Sequence, residues 1–202
     1  MSMWPEPKYP FVKSVKPDPD RKFICIAGPC SIESPEQIAD SVQYFARHGV
    51  DYMRGGVYRA VTYHPGSPGM RATLLESWSA AAKKVNLGIV VEVVDLGLLD
   101  YVERYADALQ VGARQMQNSG LLQAVSRFNG PVILKRNMGA NLDEFLGAAE
   151  YLLRGRCKPI LVERGSSTFM QHVRWDISIS TIAEVKRRTG LPILVDASHG
   201  TG

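Results

Sequence analysis

The chain has 202 residues, of which 45% are hydrophobic and 22% charged. This length and composition suit one globular domain with a buried core, and they exclude disordered, collagen-like and fibrous proteins. The 24 Lys and Arg exceed the 20 Asp and Glu by a formal charge of +4. The basic residues are spread along the chain and no apolar stretch reaches the roughly 20 residues of a membrane span, so we expect neither a nucleic acid nor a membrane as partner.

The N-terminal 22 residues differ in composition from the rest. They contain five of the twelve prolines, at positions 5, 7, 10, 17 and 19. We therefore predict a Pro-rich arm at 1–22 and a domain at 23–202. The prolines interrupt the apolar segment that a secretory signal needs. The three scattered cysteines are too few for a disulfide framework, so we expect a cytoplasmic protein.

Seven short runs rich in β-branched residues predict strands. Most are apolar without alternation, which is typical of parallel strands covered by helices on both faces. The runs are 23–27, 50–57, 88–95, 106–113, 131–137, 159–163 and 192–198.

Segments with helical spacing separate these runs. Ser34 with Gln37 predicts one helix start, and Asn141 with Glu144 predicts another. Alternating strands and helices indicate a parallel sheet, either closed into a TIM (β/α)8-type barrel or open and doubly wound. No Gly-x-Gly-x-x-Gly follows the first strand, which disfavours the dinucleotide-binding open sheet. We predict an incomplete (β/α) barrel at 23–202 in which about seven strands are present.

Basic residues stand at the carboxyl ends of the second, fourth, fifth and sixth predicted strands, where ligands bind in such folds. Several cations in one barrel mouth repel one another unless an anion lies among them, and Arg and Lys suit phosphate and carboxylate oxygens. The pattern favours a compact phospho-carboxylate such as phosphoenolpyruvate. The alternative is that each cation pairs with a neighbouring acid. The residues are Arg54 with Arg59, Arg114, Lys135 and Arg164.

Cys30 and His199 follow the first and seventh predicted strands. A thiolate and an imidazole at these positions are suitable ligands for a divalent metal. The alternative is that Cys30 is a small buried hydrophobic residue.

Six motifs together resemble those of the 3-deoxy-D-arabino-heptulosonate 7-phosphate (DAHP) synthases, in their short microbial form, which are related to the 3-deoxy-octulosonate 8-phosphate synthases. The resemblance runs in order from about residue 23 to the end. The motifs are Gly28-Pro29-Cys30-Ser31, Arg54-Gly55-Gly56, Gly112-Ala113-Arg114, Leu134-Lys135-Arg136, Glu163-Arg164-Gly165 and Asp196 with Ser198-His199.

The resemblance implies a barrel enzyme, a transferase of the shikimate pathway that condenses phosphoenolpyruvate with erythrose 4-phosphate and releases phosphate. It implies a divalent metal (Mn, Fe, Zn or Co) held by Cys30 and His199, and a homo-oligomer of two or four subunits. Lys135 would act as an acid or polarising group, and Asp196 would orient His199 or accept a proton. The implied ligands of phosphoenolpyruvate are Arg54, Arg114, Lys135 and Arg164.

The chain departs from the family pattern in two places. Where the family has Lys-Pro-Arg-Thr-Ser, this chain has Arg59-Ala60-Val61-Thr62-Tyr63. By the family pattern, Arg59 keeps the positive charge that contacts phosphoenolpyruvate, and Thr62 is a candidate for binding the aldose. Val61 stands where the family has an arginine that binds the phosphate group of the aldose. The family's other two metal ligands, a Glu and an Asp, belong to an eighth βα unit that this sequence does not contain.

Two other interpretations remain open. The chain could be a non-catalytic truncated relative that binds phosphoenolpyruvate or a full-length synthase. It could also be an unrelated barrel aldolase that forms a Schiff base on Lys135.

Overall fold

A computed structural model describes residues 23–57, 68–170 and 172–200, with only the backbone at 68–72. The arm predicted at 1–22, and the candidate site residues Arg59 and Thr62, lie outside the described residues. The described chain forms two compact units that divide between Gln110 and Val111. None of the described helices is both long enough and apolar enough to cross a membrane.

The first unit contains four parallel strands that follow one another in chain order. In their register, Ile26 lies opposite Tyr52, and Tyr52 lies opposite Gly88. Three helices connect these strands. The elements are β1 (Ile26–Ala27), α1 (Pro35–Arg47), β2 (Tyr52–Gly55), α2 (Pro68–Lys84), β3 (Gly88–Val93), α3 (Leu99–Val102) and β4 (Ala108–Val111).

The second unit contains three further parallel strands, again in chain order. Lys135 pairs with Val162, and Glu163 pairs with Val195, so the carboxyl ends of the three strands lie side by side. The elements are α4 (Ser119–Val125), β5 (Pro131–Lys135), α5 (Leu142–Leu153), β6 (Lys158–Glu163), α6 (Ile179–Thr189), β7 (Ile193–Val195) and α7 (Ala197–Gly200).

The predicted fold class is confirmed, because seven parallel strands alternate with helices in the manner of a TIM (β/α)8-type barrel with seven strands present. The central strands have few exposed side chains: Val132, Ile133 and Leu134 are consecutive and all buried. This is the burial expected of a strand covered on both faces, and it explains why the sequence shows no alternation there.

Both predicted helix starts are confirmed. The Ser34 side chain accepts a hydrogen bond from the Gln37 amide at 3.1 Å. Asn141 and Glu144 form a reciprocal capping box, in which each side chain accepts from the other residue's backbone N–H at 2.9 Å. These bonds satisfy amides that the first turn of a helix leaves without a partner.

Most strands are shorter than predicted, and side-chain caps end two of them early. The seventh was predicted at 192–198 but ends at Val195. Asp196 Oδ1 accepts a hydrogen bond from the His199 amide at 3.2 Å, which turns the chain into α7. In the same way, Asp95 accepts from the Gly97 amide at 2.8 Å and begins a 3₁₀ turn after β3. Such short polar side chains compete with the extended backbone for its amides.

Candidate active site

In the first unit, a thiol and a guanidinium group meet where β1 and β2 end. Arg54 Nη1 lies 3.5 Å from Cys30 Sγ and donates a hydrogen bond to it. Gly28 permits this arrangement, since a Cβ atom at that position would lie 2.0 Å from the Arg54 carbonyl oxygen. Cys30 is exposed rather than buried. The alternative interpretation of Cys30 as a small buried hydrophobic residue is therefore wrong.

In the second unit, the Asp196 carboxylate joins Lys135 to His199. Lys135 Nζ, at the end of β5, lies 2.6 Å from Asp196 Oδ2. His199 Nδ1, in α7, lies 2.8 Å from the same oxygen. All three residues lie at the carboxyl end of this unit's sheet, because β5 and β7 both pair with β6 in parallel register. One acid thus positions both a cation and an imidazole.

Burial and charge act on Asp196 in opposite directions. Burial disfavours its ionised form, but the hydrogen bond and charge of Lys135, followed by His199, outweigh this and lower the pKa of the carboxyl group. Burial also lowers the pKa of His199, and Asp196 only partly offsets it. A neutral imidazole whose Nδ1–H donates to a carboxylate presents its Nε2 lone pair, which is the form that binds metals.

Arg164 follows β6 and is almost completely buried, with 4% of its surface exposed. Its Nη1 atom has no hydrogen-bond partner among the described residues. Burial lowers the pKa of Arg164, Asp196 opposes this, and the nearby charges of Arg174 and Arg114 lower it further. Arg114 is exposed and belongs to a 3₁₀ turn that follows β4. The second unit therefore brings Arg114 and Arg164 into the same electrostatic environment as Asp196.

The alternative of simple ion pairing holds for Lys135, whose partner is Asp196. Within the described ranges, neither Arg114 nor Arg164 forms an ion pair with an acid. Positive charge therefore exceeds negative charge in this part of the second unit. That excess is the property expected of a site for an anion with several oxygens.

A buried ion pair that the sequence did not predict supports these residues. Arg136 Nε lies 2.7 Å from Glu163 Oε2, and Arg136 Nη2 lies 2.8 Å from Glu163 Oε1. Arg136 Nη1 also donates to the Ala140 carbonyl oxygen at 2.8 Å. The side chains of Arg136 and Glu163 are 5% and 0% exposed. Neighbouring residues at a strand end point to opposite faces, so this pair leaves Lys135 and Arg164 on the other face.

Both predicted metal ligands lie among the described residues, Cys30 in the first unit and His199 in the second. Cys30 and His199 are both suitable donor types for a divalent transition metal. In the regions that the structure describes, no group of three or more His, Cys, Asp or Glu residues could hold a metal ion. A catalytic zinc site ordinarily takes three protein ligands. Each side chain by itself is thus a suitable donor, and the role of Cys30 and His199 as metal ligands stays a prediction.

The cysteines are expected to differ strongly in reactivity. Burial raises the pKa of Cys157 to about 12, and this thiol is 2% exposed. At pH 8 only about 0.01% of such a group is thiolate, the reactive form. We expect iodoacetamide to label exposed Cys30 in the native protein and to leave Cys157 unlabelled, as measured by peptide mass spectrometry. All three cysteines should react in urea. Equal native labelling of Cys30 and Cys157 would contradict the described packing.

Comparison with known proteins decides the family. Residues 11–202 match the model of the DAHP synthetase I family. The chain belongs to this family. This membership confirms the resemblance predicted from the six motifs.

Curated proteins show the same relationship. The chain is 39% identical over 181 residues to a phospho-2-dehydro-3-deoxyheptonate aldolase of Thermotoga maritima, covering 89% of this chain and 54% of that protein. It is 24% identical over 191 residues to a 2-dehydro-3-deoxyphosphooctonate aldolase of Dechloromonas aromatica, covering 89% of this chain and 67% of that one.

Solved structures show the same similarity. The crystal structure of the Thermotoga maritima DAHP synthase matches with a TM-score of 0.80 and 36% identity, over 88% of this chain and 52% of that chain. A truncated form of the synthase from the same organism matches with a TM-score of 0.79 and 37% identity, over 89% of this chain and 66% of that chain. The chain thus spans about half the length of the full Thermotoga protein.

Proposed function

We propose that this chain carries the substrate-binding and catalytic residues of a DAHP synthase, which condenses phosphoenolpyruvate with erythrose 4-phosphate or a related aldose and releases phosphate. The observation that carries this proposal is the cluster of Lys135, Asp196 and His199 beside the unpaired Arg164. The Thermotoga relative, named as an aldolase of this kind, supports the same reaction. A cytoplasmic location and a homo-oligomer of two or four subunits remain predictions.

Phosphoenolpyruvate is the substrate that best matches the charges of the second unit. Its phosphate and carboxylate groups need several donors, and Arg114, Lys135 and Arg164 supply them with Asp196 as the acid among them. By family resemblance, Arg54 and Arg59 would add further cations, and Thr62 would contact the aldose. A carboxylate held between a lysine and a histidine fixes both side chains before substrate arrives.

In the proposed reaction, C3 of the enol attacks the aldehyde carbon, and the aldehyde oxygen takes up a proton. Water then adds at C2, and phosphate leaves by cleavage of the C–O bond. In this proposal Lys135 donates a proton to the reacting oxygen or polarises its bond. Asp196 supports this role by accepting a hydrogen bond from the Lys135 ammonium group. Asp196 also fixes the ring of His199. Cys30 and His199 would be ligands of a divalent metal (Mn, Fe, Zn or Co), which supplies Lewis-acid polarisation of the aldehyde oxygen when bound.

The test is phosphate release by the full chain supplied with phosphoenolpyruvate, erythrose 4-phosphate and Mn²⁺. We expect phosphate to appear in step with the consumption of phosphoenolpyruvate, and only when the aldose is present. Asp196→Asn should slow this release by about 100-fold, since it frees both Lys135 and His199 from their shared partner. No release with any four- or five-carbon aldose phosphate, with or without Mn²⁺, would overturn the catalytic proposal.

A second candidate is a non-catalytic relative that binds phosphoenolpyruvate or joins a full-length synthase. The excess positive charge around Arg164 supports it, because the cations of Arg114 and Arg164 suit the binding of phosphoenolpyruvate whether or not a reaction follows. Calorimetric binding of phosphoenolpyruvate without turnover, or co-purification with an intact synthase, would support this candidate over the enzyme.

A further inference from the structure

The segment that follows β6 folds back so that a tryptophan lies against the strand end. Ser166 and Asp176 form an antiparallel bridge, with backbone N–H···O distances of 2.9 and 3.0 Å. The bridge places Trp175 directly beside Gly165, where a Cβ atom would lie 2.7 Å from the Trp175 Cβ. Gly165 has φ +94°, a conformation that other residues rarely adopt. The position of Trp175 thus depends on the backbone of the residue after Arg164.

Two guanidinium groups share the Trp175 ring. The Arg164 Cζ lies 4.8 Å from the ring centroid, and the Arg174 Cζ lies 5.4 Å from it. A tryptophan face attracts cations, so the ring holds two like charges near each other that would otherwise separate. Arg174 is exposed, and it makes no hydrogen bond or ion pair within the described chain. Its charge therefore remains available to a ligand.

Two buried donors in the same group lack acceptors. Arg164 Nη1 and Trp175 Nε1 are inaccessible to solvent and have no hydrogen-bond partner in the part of the chain that the structure describes. Buried N–H groups are nearly always paired, so two adjacent residues with unpaired donors indicate missing acceptors. Glu163 cannot supply them, because its two oxygens accept from Arg136 and the Gly165 amide. Asp196 is engaged by Lys135 and His199.

We propose that Arg174 and Trp175, together with Arg164, form an oxyanion subsite that binds the phosphate group of phosphoenolpyruvate. A phosphate offers several acceptor oxygens and more than one negative charge, which matches two cations and two unpaired N–H donors. Trp175 holds the two guanidinium groups and donates its own N–H. This assignment rests on the proposed function for the choice of substrate, whereas the phosphate preference follows from the three side chains alone.

The experiment titrates inorganic phosphate and phosphoenolpyruvate separately into the full chain by calorimetry. Trp175→Phe keeps an aromatic ring but removes the N–H, and Arg174→Gln removes the charge. We expect Arg174→Gln to weaken the binding of both ligands by about 10-fold, near the lower end for hydrogen bonds to a charged group. Trp175→Phe should weaken both by a smaller factor. Arg187→Gln, an exposed arginine on α6, is the matched control and should leave both affinities unchanged.

Tryptophan fluorescence provides a second measurement. Of the other two tryptophans, Trp78 is fully buried and donates to Met53 Sδ, and Trp4 lies outside the described residues. Phosphate should change the emission of the parent chain, and this change should disappear in Trp175→Phe. Thermal melts establish that each variant is folded. If Trp175→Phe fails to fold, the affinity of Arg174→Gln decides the question, because that side chain is exposed.

The outcomes separate the two proposals. If the parent binds phosphoenolpyruvate but Arg174→Gln binds both ligands equally well, the subsite is wrong and the proposed function stands. If phosphate binding depends on Arg174 and phosphoenolpyruvate does not bind, the three side chains form a phosphate site for another ligand, and both the assignment to phosphoenolpyruvate and the proposed function are wrong. Binding of neither ligand to the parent overturns both.

Discussion

Glu163→Gln is expected to lower the free energy of unfolding by about 3 to 5 kcal/mol, the usual cost of breaking a buried ion pair from one side. Glu163 is fully buried and accepts two hydrogen bonds from Arg136 at 2.7 and 2.8 Å. The substitution leaves the Arg136 guanidinium buried without a counter-charge. Urea denaturation followed by circular dichroism measures the difference between variant and parent.

A matched control exists on α6, where Glu184 accepts two hydrogen bonds from Arg187 at 2.8 and 2.6 Å. The geometry is the same, but this pair lies at the surface, where water and salt screen the charges. Glu184→Gln should therefore leave the urea midpoint almost unchanged. The double variant Arg136→Met/Glu163→Leu should recover much of the lost stability, since it leaves no lone charge. Equal effects of Glu163→Gln and Glu184→Gln would show that burial does not govern the Arg136 pair.

Lys135→Met is expected to weaken phosphoenolpyruvate binding by about 10- to 100-fold, the range for losing a hydrogen bond from a charged group. The change removes the ammonium group that Asp196 holds at 2.6 Å and leaves that carboxylate facing the substrate's negative charges. The rate of phosphate release should fall by at least the same factor, because the Lys135 ammonium group is also proposed to act on the reacting oxygen. Calorimetry gives the affinity, and phosphate release gives the rate.

Lys186→Met is the control for this change, because Lys186 is an exposed lysine in the last turn of α6. It should leave the affinity for phosphoenolpyruvate at the parent value. Thermal melts of both variants separate a loss of binding from a loss of folding. Full affinity in a folded Lys135→Met variant would contradict the placement of Lys135 in the site.

The two predictions concern opposite faces of the same strand ends. Arg136 and Glu163 pair on one face, which fixes the register of β5 against β6 where the strands end. Lys135 and Arg164 are their immediate neighbours and point the other way. We therefore expect damage to the buried pair to reduce stability and ligand binding together, whereas Lys135→Met should affect mainly binding.

Much of the fold could be predicted from local features of the sequence. Apolar runs without alternation indicated strands buried on both faces, and Ser34 and Asn141 marked helix starts through contacts with residues only three positions away. Such signals are local, so the chain carries them within a few residues. The ends of the strands were predicted less well, because Asp196 and Asp95 cap turns at positions where apolar residues alone suggested longer strands.

The sequence by itself determined the order of strands and helices, the basic residues at strand ends and the family to which their motifs belong. Only the tertiary structure decided which charges meet: Arg136 with Glu163 across 27 positions, and Lys135 with Asp196 across 61. It also placed Trp175 against Arg164. When a strand is apolar throughout and ends in consecutive charged residues, its sequence has no alternation that shows on which face of the sheet each charged side chain lies. The pairing therefore depends on the register between strands that are distant in sequence.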